Sequence, residues 1–228
     1  EKLPKDVQEK LNNIKAKLEK FQKKVLEKFD KYIVGIALLP PQQKQEPQVQ
    51  EIKAQEINKD AINALVLVDD SDSKKMSKFE LKDKLVVIIG NIAVEIDKNL
   101  TPQVVILSEL WQNCYDGKYE FLQMIALSAP VFDRGMLAAI KIAEVHKTMV
   151  LKKFEKYIVS YVLAGSLVQG RATPTSDIDV WIVIDDTDVK KMTRAELKDK
   201  LRAIIIGMGI EAGELTGIRN KINIQVYI

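Results

Sequence analysis

Apolar and polar residues alternate along the chain in blocks that predict helices and strands in turn. Residues 20–32 combine a helical period with abundant Lys and Glu, and residues 34–39 form an apolar run typical of a strand. Ile62–Val68 is an apolar run with β-branched residues between Asp pairs, which predicts a buried strand. Helices that alternate with strands predict an α/β (α+β) fold, with small mixed sheets flanked by helices.

Two helix starts are marked by the same pattern. Ser77 and Glu80 stand at capping-box spacing before an apolar periodic run, and Thr193 and Glu196 repeat that spacing later in the chain. Both segments therefore predict a helix that follows a strand and a short turn.

The N-terminal segment, residues 7–21, predicts an amphipathic helix that continues into the helix of residues 20–32. Its apolar residues recur at helical spacing: Leu11, Ile14, Leu18 and Phe21. Such a face packs either on its own domain or on a partner chain, and the pattern leaves both open.

An internal repeat organises the chain. Residues 69–85 and residues 185–201 are identical at twelve of 17 positions, at a constant offset of 116. Residues 26–34 match residues 151–159, and residues 102–106 match residues 224–228. Three matches in the same order predict two copies of one domain.

The repeat predicts an N-terminal helix over residues 1–19, a first domain over residues 20–146 and a second over residues 147–228. After its last strand the first copy continues through residues 107–145, for which the second copy has no counterpart. Either the second copy is cut short or it is naturally trimmed. Residues 42–56, rich in Gln and containing Pro47, predict an exposed loop.

Composition narrows the chemistry. A net charge of +3 gives no bulk argument for nucleic-acid binding. Cys114 is the only cysteine and His146 the only histidine, which excludes an internal disulfide framework and argues against Cys- or His-based metal sites and a Ser-His-Asp triad. No apolar stretch has the ~20 residues that span a membrane, and no secretory signal is visible. The expectation is a cytoplasmic protein, although the first residue is Glu and not Met.

Candidate chemistry is concentrated in the second copy. An apolar strand ends at Gly165, where the absence of a side chain lets a ligand approach the backbone, and Ser166 follows at the expected start of a short helix. Asp177 and Asp179 stand two apart in a strand-forming run, so both carboxylates share a face and can bind a hard divalent cation. Asp185 and Asp186 lie past the strand and predict a solvated turn.

The segment GSxxxGxAxxxSDIDV, from Gly165 to Val180, resembles the nucleotidyltransferase superfamily. That superfamily includes DNA polymerase β, the antibiotic nucleotidyltransferases and the small MNT-type proteins. With KKMxxxELKDKL and the strands ending in PQV or IQV, both copies also resemble stand-alone nucleotidyltransferase-domain proteins of archaea. A glycine-serine pair and paired aspartates at this spacing are a specific combination.

The resemblance implies a mechanism. Gly165 and Ser166 would bind the β- and γ-phosphates of a nucleoside triphosphate, with Gly170 and Arg171 in the same phosphate-binding segment; Arg171 is equally well explained as a solvated loop residue. Asp177 and Asp179 would hold Mg²⁺ or Mn²⁺. An acceptor hydroxyl would attack the α-phosphate and release pyrophosphate.

The sequence departs from the family at one strand. Many members supply a third carboxylate there, whereas this chain has Asn223 and Gln225 on the alternation expected to point inward. Neither residue can act as a general base. Glu211 and Glu214 are the alternatives, in a stretch without a regular pattern.

The first copy lacks these groups. By alignment, Pro40 and Pro41 replace the glycine-serine pair, Ala61 replaces Asp177 and Asn63 replaces Asp179. Proline offers no N–H to a phosphate. The first copy is therefore predicted to be a pseudo-nucleotidyltransferase domain with a structural, acceptor-binding or assembly role.

Two functions follow from the sequence. The first is transfer of a nucleoside monophosphate, most simply AMP from ATP, to a protein, a small molecule or an RNA end. The second is a non-catalytic binding or assembly protein on the same frame. No basic stretch interleaved with aromatic residues favours a nucleic-acid platform. No membrane partner is expected, and an oligomer or partner chain is left open.

Overall fold

The structure is a computed structural model that describes residues 4–40, 61–73, 76–189 and 191–228. The predicted loop of residues 42–56, and Pro41, lie outside the described residues. The chain divides into two compact units, and each is described by itself. The first comprises the described residues up to Leu107 together with Leu127–Phe132, and the second comprises Ser108–Ala126 and Asp133–Ile228.

The first unit is a four-stranded mixed sheet with two long helices. Strands β1 (Ile33–Leu38) and β2 (Ile62–Val68) pair antiparallel, β3 (Leu100–Ile106) pairs parallel with β2, and the order is β3-β2-β1-β4. The remaining elements of this unit are α1 (Lys5–Phe29), α2 (Lys78–Ile96) and β4 (Ala129–Asp133).

Helix α1 is continuous through the predicted boundary between residues 19 and 20. Its residues Leu18, Phe21 and Val25 are buried in the core of the first unit, beside the apolar face of α2. Ile14, Leu18 and Phe21 of the predicted apolar face therefore pack on their own domain, the first of the two alternatives, whereas Leu11 is 47% exposed.

The second unit has a three-stranded sheet in the order β5-β6-β7. Strands β5 (Ile158–Ala164) and β6 (Ile178–Ile184) pair antiparallel, and β7 (Ile222–Tyr227) pairs parallel with β6. Its helices are α3 (Leu107–Tyr115), α4 (Glu120–Leu127), α5 (Met136–Phe154) and α6 (Arg194–Thr216). Two mixed sheets flanked by helices confirm the predicted fold class.

The two sheets pair their first three strands in the same register. Ile33 pairs with Val68 in the first sheet and Ile158 with Ile184 in the second, and a register shift follows directly in both. Both α2 and α6 begin one residue after the predicted cap. Thr193 forms the complete capping box with Glu196, whereas at Ser77 the cap is the single bond that the Glu80 N–H donates to the Ser77 hydroxyl oxygen.

Residues 107–145, which have no counterpart in the second copy, contribute to both units. Of this segment Leu107 and Leu127–Phe132 belong to the first unit, where β4 extends the sheet beside β1. On the second sheet, Val162, Trp181 and Tyr227 lie on one face and are 39%, 45% and 48% exposed. None of the helices in the described residues is long and apolar enough to cross a membrane.

Candidate nucleotide and metal site

Gly165 and Asp179 meet where β5 ends. Gly165 has a φ of 70°, a left-handed conformation that side chains disfavour. A Cβ added at this position would lie 2.2 Å from Oδ2 of Asp179. The Asp179 carboxylate thus lies directly on the glycine backbone, and only glycine leaves room for it.

A single tight turn follows Gly165 in place of the short helix that the sequence predicted. The Arg171 N–H donates to the Ser166 carbonyl at 2.9 Å, and the Gly170 N–H donates to the Leu167 carbonyl at 3.2 Å. Gly170 has a φ of 70°. These are the bonds and the glycine of a Schellman motif, which ends a helix after its first turn. Gly170 therefore has a conformational role here.

The other two residues of the predicted phosphate-binding segment lie at the surface of this turn. Ser166 is half-buried and Arg171 is exposed. The Arg171 guanidinium donates to the side-chain oxygen of Gln169. Phosphate binding by either residue stays a prediction.

Asp177 and Asp179 flank the first residue of β6. Ile178, Val180, Ile182 and Ile184 are all buried on the opposite face, as the alternation predicts. Asp177 is exposed and Asp179 half-buried. Because side chains alternate along a strand, the Asp179 carboxylate lies on the face of the sheet opposite these buried residues, and Asp177 directly precedes the strand.

Strand β7 brings an amide to Asp179. Asn223 pairs with Asp179 across the two strands, and its Nδ2 donates to Asp179 Oδ1 at 2.9 Å. Gln225 pairs with Trp181, one row farther along the same face. Both residues are exposed, on the face that carries Asp179 and not on the core face. The position of a third acid is that of Asn223.

Glu211 and Glu214 do not complete the site. Both are exposed residues of α6, which is a regular helix. The sequence had predicted a less regular stretch there. Helix α6 packs on the other face of the sheet, since a Cβ at Gly209 would lie 3.6 Å from Ile224 and 3.7 Å from Ile222. The sheet therefore separates these acids from Asp179.

The donors present fit a cation that is shared with a ligand. Within the described part of the chain no group of three or more His, Cys, Asp or Glu could hold a metal ion. Mg²⁺ in proteins is commonly bound by one or two carboxylates together with phosphate oxygens and water. Asp177 and Asp179 match that arrangement and do not form a cage of protein ligands alone.

His146 has a structural place in the second unit. It is fully buried, its Nε2 lies 3.1 Å from the Ile205 carbonyl and its Nδ1 lies 2.8 Å from the Tyr161 hydroxyl. A carbonyl only accepts, so Nε2 donates, and in the neutral ring Nδ1 accepts from the Tyr161 hydroxyl, which also lies 3.3 Å from the Ala143 carbonyl. Burial lowers the pKa of His146 and raises the pKa of Tyr161. A neutral histidine with both nitrogens bonded agrees with the expectation that it is no catalytic base.

The equivalent positions of the first unit carry no acid. Ala61 stands directly before β2 and Asn63 is its second residue, where Asp177 and Asp179 stand relative to β6. Asn63 pairs with Thr101 of β3, as Asp179 pairs with Asn223. Pro40 is exposed after β1.

Part of the second unit is similar to a known domain family. Residues 144–217 match the family model of the nucleotidyltransferase domain. The matched range includes Gly165, Asp177 and Asp179 and ends before β7, which carries Asn223. The chain matches neither a curated protein nor a solved structure. The family match supports the nucleotidyltransferase superfamily, and with it nucleotidyl transfer, for the second unit.

Proposed function

We propose that the second unit binds a nucleoside triphosphate with a divalent cation and transfers the nucleoside monophosphate to an acceptor hydroxyl. In its simplest form this is AMP from ATP. The observation that carries the proposal is the contact between the Gly165 backbone and the Asp179 carboxylate. It joins a backbone turn suited to phosphate to the carboxylates suited to a cation, within the segment that matches the nucleotidyltransferase family.

Each residue has a role in this proposal. Asp177 and Asp179 would hold Mg²⁺ or Mn²⁺, which supplies charge neutralisation at the phosphates. Gly165 and Ser166 bind the β- and γ-phosphates by backbone N–H groups and the serine hydroxyl. Gly170 keeps the turn in its conformation, and the exposed Arg171 exchanges Gln169 for a phosphate oxygen.

The acceptor oxygen then forms a bond to the α-phosphorus while the bond to pyrophosphate breaks, and the acceptor proton leaves to solvent. Positioning and charge stabilisation supply most of the catalysis in reactions of this type. The acceptor is a protein, a small molecule or an RNA end. We expect this protein to act in the cytoplasm.

A second candidate function is nucleotide binding without rapid transfer. Asn223 occupies the position opposite Asp179 and donates to it at 2.9 Å, so no carboxylate there activates the acceptor. An amide neither takes a proton nor adds negative charge for a second cation. This observation favours a slow enzyme or a nucleotide-dependent binding protein.

We further propose that strands β1–β3 with α2, and strands β5–β7 with α6, are copies of one domain, the first without the site. The identical pairing of the first three strands supports this, together with the matching helix starts. Ala61 and Asn63 leave the first copy without the acids. Its role is then structural, in acceptor binding or in assembly.

Calorimetry with ATP and Mg²⁺ tests the binding site. Replacing Asp177 and Asp179 together by Asn should abolish the Mg²⁺-dependent part of the affinity. The matched control is Asp185→Asn, because Asp185 lies past the end of β6 and its carboxylate accepts from the Thr187 N–H at 2.9 Å. Equal affinity in the double variant and the wild-type chain would reject the site.

Labelled ATP, GTP, CTP and UTP with Mg²⁺ separate the two candidate functions. Release of pyrophosphate, or covalent labelling that the double variant loses, identifies transfer. Nucleotide binding with neither signal identifies the second candidate.

A further inference from the structure

Asn220 is a buried side chain between α6 and β7 that the sequence did not single out. It is 6% exposed. Its Nδ2 donates to two backbone carbonyls, that of Thr173 at 3.1 Å and that of Ser176 at 2.8 Å. Both hydrogens of the amide are therefore used on one short turn, far away in sequence.

That turn directly precedes Asp177. The Ser176 N–H donates to the Thr173 carbonyl at 3.1 Å, and the Thr173 N–H donates to Ser176 Oγ at 3.0 Å. On another side, a Cβ added to Gly135 would lie 2.3 Å from the carbonyl carbon of Thr173. The turn is thus closed on itself and held in place by two other parts of the unit.

Consecutive residues hold the backbone on both sides of Asp177. Before it, the Ser176 carbonyl accepts from Asn220, and after it the Ile178 N–H donates to the Lys221 carbonyl at 2.8 Å. Asp179 lies within β6 and pairs with Ala164 and with Asn223. Asp177 lies outside the strand, so its backbone position depends on these two flanking hydrogen bonds.

We propose that Asn220 is a positioning residue that holds Asp177 beside Asp179 for a cation. The proposal rests on the proposed function of the second unit. An amide is suited to this position because it brings two donors to two carbonyls. Aspartate has the same shape with no donor, and alanine leaves the Ser176 carbonyl without this partner. Outer residues of this kind orient metal ligands.

The test uses the full chain with Asn220→Asp and Asn220→Ala, and with Asn220→Gln as the variant that retains the amide donors. Tyr161→Phe is the matched control, because it removes a buried hydrogen bond of the same unit away from the turn. Calorimetry measures ATP affinity in Mg²⁺ and in EDTA. The Asp and Ala variants should lose about 10–100-fold in Mg²⁺ and nothing in EDTA, Gln should recover part of the loss, and Tyr161→Phe should match the wild-type chain.

Hydrogen exchange gives a readout that does not depend on nucleotide. Amides of residues 173–178 should exchange faster in the Asp and Ala variants than in the wild-type chain or in Tyr161→Phe. If amides throughout either variant exchange faster, the variant is unfolded. Asn220→Ser, which keeps one donor, then replaces it in both measurements.

Two results would overturn the proposal. One is unchanged exchange of residues 173–178. The other is an equal loss of affinity in Mg²⁺ and in EDTA, which a general structural defect would cause. If the wild-type chain itself binds ATP equally in Mg²⁺ and in EDTA, the proposed function fails and the positioning role fails with it. Failure in the wild-type chain is thereby distinguished from failure in the variants alone.

Discussion

At the scale of single residues, the candidate site of the second unit requires a glycine at position 165, because a Cβ there would collide with the Asp179 carboxylate. The Asp179 carboxylate occupies the space where a side chain of residue 165 would stand. A side-chain end can move more readily than backbone, so a substitution at Gly165 displaces Asp179 and leaves the fold in place. The glycine therefore affects the chemistry of the site more than the stability of the unit.

The substitution Gly165→Ala should abolish Mg²⁺-dependent ATP binding while lowering the free energy of unfolding by about 1–2 kcal/mol, the cost of a left-handed backbone for a residue with a Cβ. Calorimetry and urea unfolding measure the two effects. The control is Gly207→Ala in α6, where an added Cβ meets nothing within 4 Å. It should stabilise the protein by up to about 1 kcal/mol through helix propensity and leave binding unchanged. A Gly165→Ala variant with normal affinity would contradict the contact.

A second prediction concerns the amide opposite Asp179. The substitution Asn223→Asp places two carboxylates together, which lowers stability without a cation and increases the stabilisation by Mn²⁺. Thermal unfolding with and without Mn²⁺ should show a larger metal-induced shift in Tm than the wild-type chain. Gln225→Glu is the matched control, because Gln225 lies on the same face as Asp179 but pairs with Trp181. An equal shift in both variants would indicate a nonspecific charge effect.

At the scale of elements, the buried His146 links α5 to β5 and to α6 through its two hydrogen bonds. The groups around it are the Tyr161 hydroxyl, the Ile205 carbonyl and, acting on Tyr161, Glu144. Burial, opposed by the bond to Ile205, holds the pKa of His146 below its ordinary value of 6.5. The unfolded chain thus binds a proton that the folded chain does not.

Stability should therefore be full above pH 6.5 and fall as the pH is lowered through that value. Urea unfolding between pH 7.5 and pH 5 measures the slope. Since His146 is the only histidine, the free energy of unfolding of His146→Gln should change less with pH over this range, although the substitution also lowers stability at every pH. A wild-type slope equal to that of the variant would show that His146 is not buried in its neutral form.

Elements with a strong local pattern could be predicted from the sequence. The spacing of Asp177 and Asp179, the buried alternation of β6 and the Thr193 cap are local features, and the structure has them as expected. Helix α6 was missed around Glu211, because Gly207, Gly209 and Gly213 weaken the helical signal. Packing against Ile222 and Ile224 of β7 favours the helix there.

The partner of Asp179 could not be predicted, because register decides it. Asn223 and Gln225 have the same alternation, and only the pairing of β6 with β7 places Asn223 opposite the acid. Asn220 was missed for a related reason. Its partners are backbone carbonyls more than forty residues away, which leave no pattern in its own segment.

At the scale of the whole molecule, the repeated strand register contrasts with the site residues, which occur in the second unit only. Apolar strand positions constrain packing in both sheets, whereas the carboxylates of Asp177 and Asp179 lie outside the buried core. A unit that loses the acids can therefore keep its core. The two units should then differ sharply in ligand binding while they share a fold.

This difference predicts one nucleotide site in each chain. Calorimetry of the full chain with ATP and Mg²⁺ should give a stoichiometry of one, and the Asp177→Asn, Asp179→Asn double variant should bind none. The physical reason is that Ala61 and Asn63 offer no anionic ligand to a cation, and Pro40 offers no N–H to a phosphate. The matching control installs acids at Ala61 and Asn63 in the double variant, which should not restore binding, because the glycine-serine turn is also missing there. A stoichiometry of two, or restored binding in that control, would show that the first unit retains a working site.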